Sequence, residues 1–182
     1  FRDPVESPCF VYPNNSVVVT FDDGFRNNFT KAVPILKKYN IPATFYITSG
    51  IVNTDIMFWV DRLENSINCT AQNSLDLQSF GLGNFELHNN SSKIFALDQI
   101  KSFCKSQPNQ LKDKVIESVE AQCRYIPNKN TSDYYTKISW PELKKISDEP
   151  LFTIGGHSLY HDILTSYSGD DSRLIMDIEI SI

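Results

Sequence analysis

The chain alternates between short continuous apolar runs and longer stretches in which apolar residues recur every three or four positions. Residues 16–21 place Val17, Val18, Val19 and Phe21 in one run and predict a buried strand that stops at Asp22, Asp23 and Gly24. Over 28–38, Phe29, Val33 and Leu36 recur at helical spacing, and Lys37, Lys38 and Asn40 suit the end of a helix. Pro42 precedes a second strand over 43–48, which stops at Ser49 and Gly50. Strand, helix, strand in that order predicts a βαβ unit with parallel strands.

The alternation breaks between Val52 and Lys137. Residues 58–63 read as the centre of a helix, 74–88 as a hairpin around Gly81 and Gly83, and 97–104 and 110–123 as two further helices. Residues 128–136 are polar and read as a loop. Ser139 then opens another helix, with Pro141 in its first turn and Glu142 at capping-box spacing. A third strand over 151–156 delivers His157 and His161 at its carboxyl end. Residues 172–182, with Leu174, Ile175, Ile178 and Ile182 on one face, predict a final helix. The pattern describes one α/β domain over 1–182, with 52–137 as a helical and hairpin insertion packed on the sheet between its second and third strands.

Composition changes this picture little. At 182 residues, 41% hydrophobic and 21% charged, the chain is long enough for one core and too ordinary for disorder. A net charge of -5 and a pI near 5.1 provide no basic field, so nucleic acid is not an expected partner. No apolar run reaches the ~20 residues of a membrane helix. No signal peptide is visible, and the chain starts at Phe1 rather than Met; both a cytoplasmic and a cell-envelope setting fit. Cys9, Cys69, Cys104 and Cys123 form no C-x-x-C pair, which argues against a cysteine zinc site. Their scatter suits free thiols, although the even count also fits one or two disulfides. Asn-x-Ser/Thr triplets, as at Asn14 and Asn68, are expected by chance in so Asn-rich a chain.

The chemistry concentrates at two strand ends, where parallel α/β sheets hold their ligands. His157 and His161, four apart, would lie on one face of a helical turn, close enough to share an ion. Read alone, such a pair is more often two capped or surface groups than a pair of metal ligands. Asp22 and Asp23 are adjacent carboxylates that repel each other unless a positive charge lies near, although either also suits the cap of a following turn. A cation shared by one aspartate and both imidazoles accounts for all four residues. The other aspartate then stays free to accept a proton, a division of labour suited to hydrolysis. His88, in the hairpin, reads as a surface residue. Trp59 and Trp140 read as core packing rather than sugar platforms, and Tyr160 either faces the pocket or packs outward.

Thr20, Phe21, Asp22, Asp23 and Gly24 together with His157, Ser158 and His161 resemble the T-F-D-D-G and H-[ST]-x-x-H motifs of the polysaccharide deacetylase family, also called NodB-homology or carbohydrate esterase family 4. Residues 58–63 resemble a segment of bacterial members with an enlarged region between the motifs. The resemblance implies a distorted (β/α) barrel, of which this chain carries a part. It implies that Asp22 is the catalytic base and that Asp23, His157 and His161 bind one divalent ion, zinc in most relatives, cobalt or nickel in some. It implies an acetylated glycan as substrate, losing N- or O-acetyl groups.

The family's later motifs, with the Arg that orients the base and the His that acts as general acid, find no match before Ile182. The expectation is therefore the N-terminal part of such a domain, or a chain whose open barrel edge is covered by self-association. Two other readings stand beside the deacetylase: a hydrolase of non-sugar amides on the same fold, and a metal- or carbohydrate-binding domain that lacks the acid.

Overall fold

The computed structural model describes residues 13–124, 135–164, 172 and 175–177. Three parallel strands form the sheet that carries the site: β1 (Thr20–Phe21), β2 (Ala43–Ile47) and β5 (Phe152–Gly156), in the order β1-β2-β5. Thr20 pairs with Thr44 and Phe21 with Phe45; Ala43 through Ile47 pair in register with Phe152 through Gly156. Phe45 is fully buried, stacked on Phe21 at 5.1 Å and edge-on to Phe152 at 5.4 Å, so one aromatic row fixes the register of all three strands.

The first strand is shorter than its sequence predicts. Val17 and Val18 are 85% and 61% exposed, and the ladder begins only at Thr20. β-branched residues favour extended backbone anywhere, but a buried strand needs a neighbour along its whole length.

Between β1 and β2 the chain makes a π-helical turn, Asn28–Ala32, and then α1 (Val33–Tyr39). Pro34 lies in the first turn of α1, where a missing N–H disturbs the regular ladder least. Asn40 ends α1 in the left-handed conformation, φ 52°. Val33 and Leu36 pack under the sheet with Phe45, Ile47, Ile138, Ile146 and Phe152.

After β2 come α2 (Trp59–Cys69), the hairpin of β3 (Ser74–Asp76) and β4 (Asn84–Glu86), α3 (Asn90–Lys105) and α4 (Asn109–Cys123). The hairpin pairs antiparallel, Leu75 opposite Phe85, with Gly81 and Gly83 at positive φ in its connection. These elements close around a cluster of their own, with Leu63, Ile67, Leu75, Ile100, Val115, Ile116 and Val119 at its centre. The helices predicted over 97–104 and 110–123 are therefore real and longer at their starts.

α5 (Trp140–Ser147) carries the predicted capping box: Glu142 N–H donates to Ser139 Oγ at 3.4 Å, and Ser139 N–H donates to Glu142 Oε2 at 3.0 Å. Trp140, expected in the core, is 54% exposed at the first position of α5, whose buried residues are Leu143 and Ile146. Trp59 is buried as expected. Cys69, Cys104 and Cys123 are free thiols; Cys9 lies outside the described residues. So does most of the polar loop predicted over 128–136. Of the predicted final helix, 172 and 175–177 are described and helical, with Ile175 exposed and Asp177 buried. No helix among the described residues is long and apolar enough to cross a membrane.

Candidate metal centre

The carboxyl ends of β1, β2 and β5 meet at one point. β1 delivers Asp22 and then Asp23, which turns the chain through φ 73°, followed by Gly24 at φ 86°. β5 delivers His157, whose N–H donates to Ile47 O at 2.9 Å. Thr48, fully buried just after β2, ties the two sides together. Its N–H donates to Asp23 O at 3.4 Å and its hydroxyl donates to His157 O at 3.0 Å.

The geometry brings together three of the four residues singled out from the sequence. Asp23 Oδ1 lies 3.4 Å from His157 Nε2 and 3.3 Å from His161 Nε2. The imidazole rings sit 5.2 Å apart, and Phe58 packs against His161 at 4.9 Å. Asp22 is exposed beside this group, outside the three-atom cluster, and its charge is one of those felt by His161. His88 stands apart, exposed and paired with Glu86.

The histidines do not share a helical turn, as their spacing predicted. Residues 157–161 form a loop in which Ser158 and His161 both adopt positive φ, 61° and 59°. The loop is closed by His161 N–H donating to Ser158 Oγ at 3.0 Å. It is anchored by Gly50 N–H to Leu159 O at 2.8 Å and by Leu159 N–H to Asp177 Oδ1 at 2.9 Å. Left-handed backbone costs a non-glycine residue roughly 1–2 kcal/mol, so these anchors are what hold the two rings toward Asp23. Tyr160 packs its ring against Gly50 and remains half-exposed.

The donor set fits a divalent ion. Two ligands of one tetrahedral ion at bonds of ~2.0–2.1 Å lie about 3.3–3.4 Å apart, which is the separation of Asp23 Oδ1 from each Nε2. Asp23 Oδ1 is enclosed and makes no hydrogen bond, nor does His161 Nδ1. Burial holds the His161 imidazole below its ordinary range; the Asp23 carboxylate opposes that shift and the neighbouring His157 adds to it. A neutral imidazole keeps the lone pair that a cation needs.

Beside the histidines lies a cleft of about 640 Å³, bordered by Trp59, His157, His161 and Asp162. Two buried lysines face the site region from the segment after β2, and neither was singled out from the sequence. Lys137 Nζ sits over the rings of Phe25 and Phe58 at 4.1 and 4.4 Å and lies 3.8 Å from Asp61 Oδ2. Burial pushes Lys137 down and Asp61 up, each opposed by the other's charge. Lys112 Nζ donates to Asp162 Oδ1 at 2.8 Å. A sequence signal existed for Lys112: it falls in the buried register of α4 with Val115, Ile116, Val119 and Cys123.

Comparison with known proteins agrees with the motif reading. The sequence model of the polysaccharide deacetylase family matches residues 11–179. Curated relatives include a poly-beta-1,6-N-acetyl-D-glucosamine N-deacetylase of Staphylococcus aureus, 32% identical over 108 residues, covering 53% of this chain and 35% of the relative. A protein of the same name from Staphylococcus epidermidis is 37% identical over 79 residues, 42% of this chain and 25% of the relative. The match thus spans only about a quarter to a third of the length of these relatives. No solved structure matches significantly.

Proposed function

The chain belongs to the polysaccharide deacetylase family, and from that premise we propose that it acts in the metal-dependent hydrolysis of acetyl groups on an amino-sugar polymer. The relatives' names make an N-acetylglucosamine polymer the first substrate to test, with the N-acetyl amide as the bond broken. Asp23, His157 and His161 are the proposed ligands of one divalent ion. Imidazole and carboxylate donors suit zinc first, and cobalt or nickel next. The observation that supports this most is the convergence of Asp23 Oδ1 on two imidazole nitrogens at 3.4 and 3.3 Å with no hydrogen bond to satisfy it.

When bound, such an ion supplies a Lewis acid for the acyl carbonyl and for water. Asp22 is the proposed general base. It is exposed, adjacent to Asp23 and outside the ligand cluster, so its carboxylate stays free to take the proton of the attacking water. The water oxygen bonds to the acyl carbon, the C–N bond breaks, and the proton taken up by Asp22 is available to the departing nitrogen, so that the products are acetate and an amine on the sugar. The cleft beside His157 and His161, with Trp59 on its wall, is the proposed seat of the glycan. We read the three-stranded sheet as part of an open (β/α) barrel in one domain, with 52–137 as an insertion into it.

Acetate release from poly-β-1,6-N-acetylglucosamine tests this reading. Release that stops with a chelator, returns with zinc and is absent in Asp22→Asn is the expected result. No release from any N-acetylglucosamine polymer by zinc-loaded chain would refute this substrate reading and favour a hydrolase of non-sugar amides or a binding domain.

A further inference from the structure

Lys112 lies on the apolar stripe of α4, with its side chain 1% exposed. A buried ammonium is costly unless it is paired and hydrogen-bonded, and an apolar residue of similar volume often serves stability as well or better. Packing alone therefore gives no reason for a lysine here. Its partners do: Nζ donates to Asn109 Oδ1 at 3.0 Å within α4 and to Asp162 Oδ1 at 2.8 Å, fifty positions away in the chain.

Asp162 directly follows His161, whose backbone is left-handed at φ 59°. Strained backbone persists only where its surroundings over-determine it. On the amino side that support comes from Ser158 Oγ, which accepts the His161 N–H at 3.0 Å. On the carboxyl side it comes from Asp162, held by Lys112. The His161 ring itself is not oriented in the usual way. Metal-bound histidines nearly always donate their second ring nitrogen to a neighbour, whereas His161 Nδ1 is enclosed and makes no hydrogen bond. Its aim depends on the backbone and on the packing of Phe58.

We propose that Lys112 and Asp162 are a positioning pair that holds His161 in ligating geometry, so that the insertion helix α4 is a structural part of the metal site. The inference rests on the reading that Asp23, His157 and His161 hold a divalent ion. It assigns the insertion a role that neither motif implies: it supplies the brace for the histidine loop, which the sheet reaches from one side only.

The test is calorimetric titration of zinc into the full chain and its variants, each checked for a cooperative thermal melt. Lys112→Met should weaken zinc binding by about 10- to 100-fold, the usual effect of losing an outer support, while the melt stays cooperative. Val115→Ala, in the same helix and fully buried, should lower the melting temperature and leave zinc affinity unchanged. Asp162→Ala should weaken zinc binding at least as much as Lys112→Met and also lower the melting temperature, because it strips the buried Lys112 ammonium of its carboxylate. The double variant, which carries no orphaned charge, should bind zinc no more weakly than Asp162→Ala, as members of one pair do. Should either single variant fail to fold, the double variant, with neither charge left, reads the same quantity.

Unchanged zinc affinity in the variants, an equal loss in Val115→Ala, or fully additive losses in the double variant would each overturn the pairing. Absence of zinc binding by the unaltered chain would instead bring down the ligand assignment, and this inference with it.

Discussion

Gly50 and Leu159 meet backbone to backbone, the Gly50 N–H donating to the Leu159 carbonyl at 2.8 Å. A Cβ at Gly50 would lie 2.4 Å from that carbonyl oxygen and 2.6 Å from the Tyr160 ring. The turn after β2 and the histidine loop therefore approach as closely as only glycine allows. Gly50→Ala is expected to push the loop outward, destabilising the fold by about 1–3 kcal/mol and weakening zinc binding. Thermal melting and zinc titration read the two effects; a variant with unaltered zinc affinity would show that the close contact does not position the ligands.

The two adjacent aspartates are predicted to separate under mutation. Asp23→Ala and His157→Ala should lose the ion, because each removes an atom of the three-donor cluster. Asp22→Asn should keep the ion and lose acetate release. Elemental analysis of the purified variants decides between the roles, and loss of metal in Asp22→Asn would mean the two assignments must be exchanged.

Glu142 links acid stability to the start of α5. Burial pushes its carboxyl upward, but hydrogen bonds from the Ser139 N–H and the Arg26 guanidinium prefer the charged form and outweigh burial, so it sits below the ordinary range. A carboxyl depressed in the folded state stabilises above its unfolded pKa, and that contribution fades as pH falls through the folded value. Glu142→Gln, whose amide oxygen can still accept from the Ser139 N–H, should cost about 0.3–1 kcal/mol near neutral pH, the scale of a lost negative charge at a helix start. Melts taken near neutrality and in acid below the ordinary carboxylate range should show the gap between wild type and variant closing. A gap independent of pH would show that the ionised carboxylate contributes nothing to the cap.

Thiol reactivity should follow burial. Desolvation pushes the Cys104 thiol up to about 11 and also raises Cys123, and both are buried, while Cys69 is exposed. Only thiolate attacks alkylating reagents. Brief alkylation of the folded chain in mild base should modify Cys69 and spare Cys104 and Cys123 until denaturant is added. Peptide mapping by mass spectrometry checks this; early modification of Cys104 would mean that the helical cluster opens under native conditions.

The sequence by itself indicated parallel strands, the hairpin and the capped helix at Ser139, and it singled out four residues at strand ends, three of which the fold brings together. Each is encoded locally, by β-branched runs, by glycine and capping residues, or by ligand types placed at strand ends. Tertiary structure decided what locality cannot encode. Val17 and Val18 are exposed, and among the described residues no strand pairs with them. His157 and His161 converge through a left-handed loop rather than a helical turn, because contacts from Gly50, Ser158 and Asp177 hold that backbone. Lys112 and Lys137 owe their buried positions to partners 50 and 76 residues distant, Asp162 and Asp61. A charge at a buried register position is visible in a sequence, but the partner that makes it tolerable is chosen by the fold, since the pairing depends on distance in space and not along the chain.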